Sequence, residues 1–222
     1  MDSMRSRAKE HLPHVLLTLL SIIQALALEL FWSEVQTLDE LFTLSWLALS
    51  TWIQVASTFL GILVIWVVYA TTVMRFSWVP GISDSVVPFF VGLLQFVLIE
   101  SLGVESAGSW FLSLAAIFAI MHGESHMIMR RARRDPDNVE FFRQIGRATI
   151  RDSISPSLMV ISLLALGAYT LAAPNNLLVT GVGLLLSLLL LVWHIVFMTL
   201  FWKRTMGELV VPGAPEKEGE PD

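Results

Sequence analysis

The residues best suited to chemistry lie in the stretch from 121 to 134, MHGESHMIMRRARR, where an apolar run ends and four arginines follow. On a helix, His122 and His126 lie one turn apart on the same face, so their rings can act together. Glu124 lies about 200° around the helix from His122 and cannot join them on one ion. The spacing also differs from the H-E-x-x-H arrangement of zinc proteases. We therefore interpret His122 and His126 as candidate metal ligands that need further ligands from neighbouring helices.

A third histidine, His194, lies at a similar distance from a basic boundary. His122 precedes Arg130 by eight residues, and His194 precedes Lys203 by nine. At the helical rise of 1.5 Å per residue, both rings would lie about 12–14 Å inside an apolar layer. Imidazole changes charge near neutral pH, so a pair at this depth is predicted to relay protons or to sense pH. The alternative is that each histidine is neutral and bonds a carbonyl group, a serine or Glu124.

Three glutamines and two glutamates also lie within apolar runs, where polar side chains are costly. Gln24, Gln54 and Gln95 occur in three different runs, and we interpret them as the lining of a narrow hydrated path. Glu29 and Glu100 lie at the ends of runs that are remote from the basic residues. Acidic groups at such a position concentrate cations at the mouth of a pore. The alternative for this set is helix packing, in which polar side chains bond across neighbouring helices.

These side chains must be positioned by membrane-spanning helices. Of the 222 residues, 55% are hydrophobic and only 15% are charged, and the apolar residues lie in long blocks. A helix of about 20 apolar residues crosses the hydrocarbon layer of a bilayer. The sequence therefore predicts an all-α polytopic membrane protein with six transmembrane helices. Their predicted ranges are 13–32, 46–74, 85–102, 109–129, 154–171 and 177–201.

The basic residues predict the orientation of these spans. All fourteen Lys and Arg residues fall before the first span or after the second, fourth and sixth, and the other three loops have none. Because Lys and Arg are enriched in cytoplasmic loops, both termini are predicted to be cytoplasmic, in a bacterial inner membrane. Residues 1–12 then form a cytoplasmic segment and residues 13–204 the transmembrane domain. Residues 205–222, rich in Gly, Pro and acidic side chains, are predicted to be a disordered tail.

The basic cytoplasmic loop at residues 130–153 is a candidate lipid-binding segment. Arg143, Arg147 and Arg151 recur every four residues and form a ridge on one side of a short helix. Each basic residue near the surface contributes about 1 kcal/mol toward binding of anionic lipid. We predict that this ridge contacts anionic lipid head groups. The alternative is a solvated loop whose arginines only set the topology.

An architecture of six spans, with both termini inside and a basic stretch after the fourth, is similar in outline to the small bacterial potassium channels of the lysosomal-channel type. That family carries an Arg-x-x-x-Phe-Ser-Asp signature in its first span. The first span here, PHVLLTLLSIIQALALELFW, lacks this signature. The resemblance therefore covers architecture and carries no individual residue over.

Together these patterns predict a channel or transporter for a monovalent cation or a proton, working as a homo-oligomer in the lipid bilayer. No nucleotide-binding loop, G-x-S-x-G motif or cysteine is present, and the sequence predicts no cofactor. A net charge of −5 argues against nucleic-acid binding. Two alternatives stay open. One is a metal-dependent membrane enzyme acting on a lipid head group, with His122, His126 and Glu124 at its metal site. The other is an accessory or scaffold protein that binds partner helices.

Overall fold

The computed structural model of the chain describes residues 2–144 and 150–207, and these two ranges contain helices and no strand. The predicted all-α fold class is confirmed for them. The α-helices of this part of the chain are α1 Asp2–Thr37, α2 Trp46–Arg75, α3 Ile82–Glu100, α4 Ala107–Ala132, α5 Val139–Gln144, α6 Ile150–Ala172 and α7 Leu177–Gly207. Short 3₁₀ helices at Asp39–Phe42, Val104–Ser106 and Pro136–Asn138 lie in the connections.

Five of these helices are long and apolar enough to cross a membrane: α1, α2, α3, α4 and α7. They correspond to five of the six predicted spans. The remaining predicted span falls in α6, whose apolar stretch, Pro156–Ala172, is shorter than those of the other five helices. At 1.5 Å per residue this stretch is about 25 Å long, slightly less than the hydrocarbon thickness of about 30 Å.

The helices pack as a bundle in which α3 lies between α1 and α4. Helix α4 also runs along α6, and α2 contacts both α1 and α7. The largest fully buried side chains of the core are Trp78, Trp110 and Phe111. The outward faces carry apolar side chains as well, most of all on α7. A helix that is apolar on every side is typical of a membrane environment.

Small residues allow α4 and α6 to approach closely. A Cβ atom added to Gly167 of α6 would lie 3.1 Å from the carbonyl oxygen of Gly108 in α4 and 2.7 Å from the side chain of Leu112. Glycine at such crossings lets the backbones of membrane helices touch. The crossing fixes α6 against the helix that carries the candidate site.

Polar contacts join three segments of the chain at one end of the bundle. The ammonium group of Lys9 in α1 lies 2.6 Å from Asp135 and 3.1 Å from Asp137, both in the loop after α4. The amide group of Asn138 donates to the carbonyl oxygens of Ser77, at 2.5 Å, and Ala132, at 2.8 Å. The N-terminal part of α1, the α2–α3 connection and the loop after α4 therefore lie at the same end of the bundle. Helix α7 continues to Gly207, and the rest of the predicted tail, 208–222, falls outside the described residues.

Candidate intramembrane polar site

The centre of the candidate site is a buried carboxyl group in α4. Glu124 is 4% exposed and accepts a hydrogen bond from the hydroxyl group of Tyr69 in α2, which is equally buried. A carboxyl group within a membrane span is expensive, and such groups line ion pathways and proton relays. Sequence reasoning considered Glu124 only as a partner of histidine or a metal and did not predict Tyr69 as a site residue. The available signal was that Tyr69 falls within the predicted second span, but Tyr169 likewise falls within the predicted fifth span.

An ion pair beside Glu124 joins the start of α3 to the end of α4. Nη1 of Arg131 lies 2.6 and 2.8 Å from the two carboxylate oxygens of Asp84, whose side chain is only 3% exposed. The indole N–H of Trp78, at 3.0 Å, and the backbone N–H of Gly81, at 2.8 Å, also donate to Asp84. A buried charge is tolerated when it is paired and hydrogen-bonded in this way.

An apolar void lies between α2, α3 and α4, beyond the Tyr69–Glu124 contact as seen from the Asp84–Arg131 ion pair. Its volume is about 10 Å³, and it is lined by Gly61 and by apolar side chains of the three helices. One turn beyond it, the indole N–H of Trp110 in α4 donates to the hydroxyl oxygen of Thr58 in α2 at 2.8 Å. Thr58 meets Trp110 and Tyr69 meets Glu124, so α2 and α4 run in the same direction. Along these two helices, one polar contact, the void and a second polar contact follow in order.

The structure gives each predicted glutamine a protein partner. Gln24 and Gln95 bond each other, amide nitrogen to amide oxygen, at 3.1 and 3.2 Å between α1 and α3. Gln54 donates to the carbonyl oxygen of Ser101 at 3.1 Å and accepts from the N–H of Gly103 at 3.0 Å. Gly103 has a φ angle of +105°, which favours glycine, so Gln54 holds the tight α3–α4 turn. In this conformation the glutamines pair with the protein rather than line an open path.

His122 and His126 form a pair. The pair that was expected to act at equal depth was His122 and His194. Nε2 of His126 lies 3.2 Å from Nε2 of His122 and 3.3 Å from the hydroxyl oxygen of Ser153 in α6. His194 packs edge-on against Phe118, with 5.9 Å between ring centroids. No hydrogen bond or ring contact among the described residues joins His122 to His194. Within the same ranges, no group of three His, Asp or Glu side chains is placed to hold a metal ion. Two histidine nitrogens alone fill half of a tetrahedral zinc site.

Three further predicted site residues, Glu29, Glu100 and Arg143, lie on the surface. Glu29 and Glu100 are exposed near the end of the bundle opposite Lys9. Arg143 in α5 is exposed and bonds Glu140 at 2.7 Å in the same helix. Arg147 and the side chain of Arg151 fall outside the described residues, so the predicted lipid ridge stays a prediction.

The α5 helix is held by its aromatic residues. Phe141 and Phe142 pack on Phe76, at the end of α2, with ring centroids 4.8 and 5.7 Å away. Short apolar contacts of this kind dock the loop that carries Arg143 onto the bundle.

The comparison of this chain with known protein families, with curated proteins and with solved structures finds no match.

Proposed function

We propose that this protein is a proton pathway of the bacterial inner membrane, with Glu124 as the group that carries the proton through its cytoplasmic half. The observation behind the proposal is that a buried carboxyl group, bonded to Tyr69, lies within a membrane-spanning helix. The Asp84–Arg131 ion pair lies further toward one end of the bundle, since Arg131 follows Glu124 by about two turns of α4, and the contact between Thr58 and Trp110 lies toward the other end. Buried acids and hydroxyl groups in such a line are typical of proton relays.

A proton fits this interior better than a larger monovalent cation. The void between α2, α3 and α4 has room for about one water molecule, so a hydrated metal cation cannot pass through the conformation described. The amide groups of Gln24, Gln54 and Gln95 are occupied by protein partners and do not form a ring of ligands. A proton needs only a transient line of hydrogen bonds, and exposed Glu29 and Glu100 then concentrate protons at the outer entrance.

We propose six spans with cytoplasmic termini, α6 being the fifth. Lys9, Ser77 and Asn138 meet at one end of the bundle, which supports a common side for the N-terminus, the α2–α3 connection and the loop after α4. Because the chain has no cysteine, single introduced cysteines report this topology directly. In inverted vesicles, an impermeant maleimide should label Ser3→Cys and leave Asn175→Cys unlabelled. The opposite result would overturn the orientation.

Proton flux into liposomes is the direct test of the function. Protein reconstituted with an enclosed pH-sensitive dye should dissipate a pH gradient between about pH 5 and 8, the range in which histidine also changes charge. Glu124→Gln keeps an oxygen that can accept from Tyr69 but cannot carry a proton, so it should abolish flux in folded protein. Glu10→Gln makes the same chemical change at an exposed position and should conduct like the wild type. Wild-type flux through folded Glu124→Gln protein would exclude the proposal.

A further inference from the structure

The void beside Gly61 interrupts the proposed proton path. It lies between the Thr58–Trp110 contact and the Tyr69–Glu124 contact. Thr58 and Tyr69 are eleven residues apart on one helix, which corresponds to a rise of about 16 Å. Side chains cover part of this distance, and the remainder has no polar group among the residues that line the void. A proton that crosses here needs water.

The void does not hold a stable water molecule. A buried water needs two to four polar partners, and the smallest cavity that accepts one is about 10–15 Å³. The void is at this lower limit of size, and its lining is apolar. Water can therefore enter only when the helices separate slightly, and it leaves again readily. Apolar constrictions of this kind gate membrane pores by losing their water.

Gly61 creates the space. A Cβ atom added at this position would meet nothing within 4 Å, whereas a Cβ atom at Gly108 or Gly167 would lie within 2.7 Å of a side chain. Close helix approach therefore explains Gly108 and Gly167 but not Gly61. The absent side chain at residue 61 leaves an opening at the point where the line of polar groups stops.

We propose that the Gly61 void is a hydrophobic gate, in which transient entry of water completes the proton path between Thr58 and Glu124. The gate rests on the proposed function, because it regulates passage through the same line of groups. It accounts for a path that is closed at rest and opens without a large movement of the helices. The transient occupant in this proposal is water, because the void is about the size of one water molecule.

Two substitutions at Gly61 test the gate in the liposome assay. Gly61→Ala puts a methyl group into the open space and should reduce flux to the level of Glu124→Gln. Gly61→Ser adds a hydroxyl group that can bond water, so it should conduct about fivefold more than Gly61→Ala, the effect of one buried hydrogen bond. Gly123→Ala and Gly123→Ser are matched controls, because a Cβ atom there also meets nothing but lies on the exposed face of α4. Both controls should conduct like the wild type.

A variant at a second position, Val64, tests the gate even if the Gly61 variants do not fold. Val64 is buried and lines the void, and Val64→Thr adds a hydroxyl group with almost no change of shape. This variant should raise flux about fivefold above the wild type. If Glu124→Gln abolishes flux while the Gly61 and Val64 variants all match the wild type, the gate is refuted and the proton path stands. If folded Glu124→Gln protein conducts normally, the proton path fails and the gate fails with it.

Discussion

The hydrogen-bonded pair of Gln24 and Gln95 allows two roles of these residues, packing between helices and lining of a path, to be distinguished by measured free energies of unfolding. Both side chains are almost completely buried, and their two reciprocal hydrogen bonds satisfy one donor and one acceptor on each amide group. Replacing one glutamine with leucine, which is of similar size, removes both bonds and leaves the other amide group unpaired. Replacing both leaves no unpaired polar group.

The expected free energies of unfolding follow from this arrangement. An unpaired buried polar group costs about 1–3 kcal/mol in proteins, and hydrogen bonds between membrane helices average about 0.6 kcal/mol with a maximum of about 1.7. Each single variant, Gln24→Leu or Gln95→Leu, should therefore lose about 1–2 kcal/mol. The double variant should lose about 0–1 kcal/mol, because its two leucines pack against each other. The coupling energy, the loss of the double variant minus the two single losses, should then be about −1 to −4 kcal/mol.

Equilibrium unfolding in mixed detergent–lipid micelles, followed by tryptophan fluorescence, measures these values. Proton flux of the double variant should equal that of the wild type, because the pair lies on the α1–α3 contact and not between α2 and α4. Additive losses in the two single variants, together with reduced flux in the double variant, would refute the packing role. Such a result would restore the two glutamines as path-lining groups.

Three further predictions concern the ends and crossings of the bundle. Arg131→Gln leaves the buried carboxylate of Asp84 without its cation and should lower the free energy of unfolding by about 2–4 kcal/mol. Asp84→Asn should lower it less, because Arg131 is one-third exposed and can turn to water. Chemical unfolding of both variants checks this order. Gly167→Ala should cost about 1–3 kcal/mol through overpacking against α4, measured by the same unfolding. The ammonium group of Lys9 holds the pKa of Asp137 below its usual 3.8. The contact therefore stabilises the fold fully above pH 3.8, and this contribution is lost as the pH falls through the lowered pKa of Asp137. Lys9→Met should flatten the dependence of the thermal midpoint on pH below about 4, and an unchanged profile would contradict the pairing.

The positions of the helices could be predicted from the sequence, because long apolar blocks are typical of membrane helices. The range predicted for the second span, 46–74, differs by one residue from α2, Trp46–Arg75. The first helix begins at Asp2 rather than near residue 13, because a helix does not have to end where the lipid does. Arg, Lys, Glu and Ala in this stretch are all good helix formers.

The partners within the bundle could not be predicted, because periodicity defines a helix face but not the helix that covers it. Gln95 lies 71 residues from Gln24, and nothing in either apolar run indicates the other. Asp84 accepts from the nearby N–H of Gly81, whereas its ion pair with Arg131 depends on how α3 and α4 pack. Glu124 was recognised as a polar residue of α4, whereas its partner Tyr69 follows only from the placement of α2.

The contact between Lys9 and the loop after α4 has a consequence for biogenesis. Lys9 is synthesised 126 residues before Asp135, so α1, α2 and α3 are complete while this ammonium group still lacks its carboxylates. The end of the bundle near Lys9 is completed only when the nascent chain has reached Asn138, which closes on Ser77. Until then, Lys9 and the carbonyl oxygen of Ser77 lack these partners.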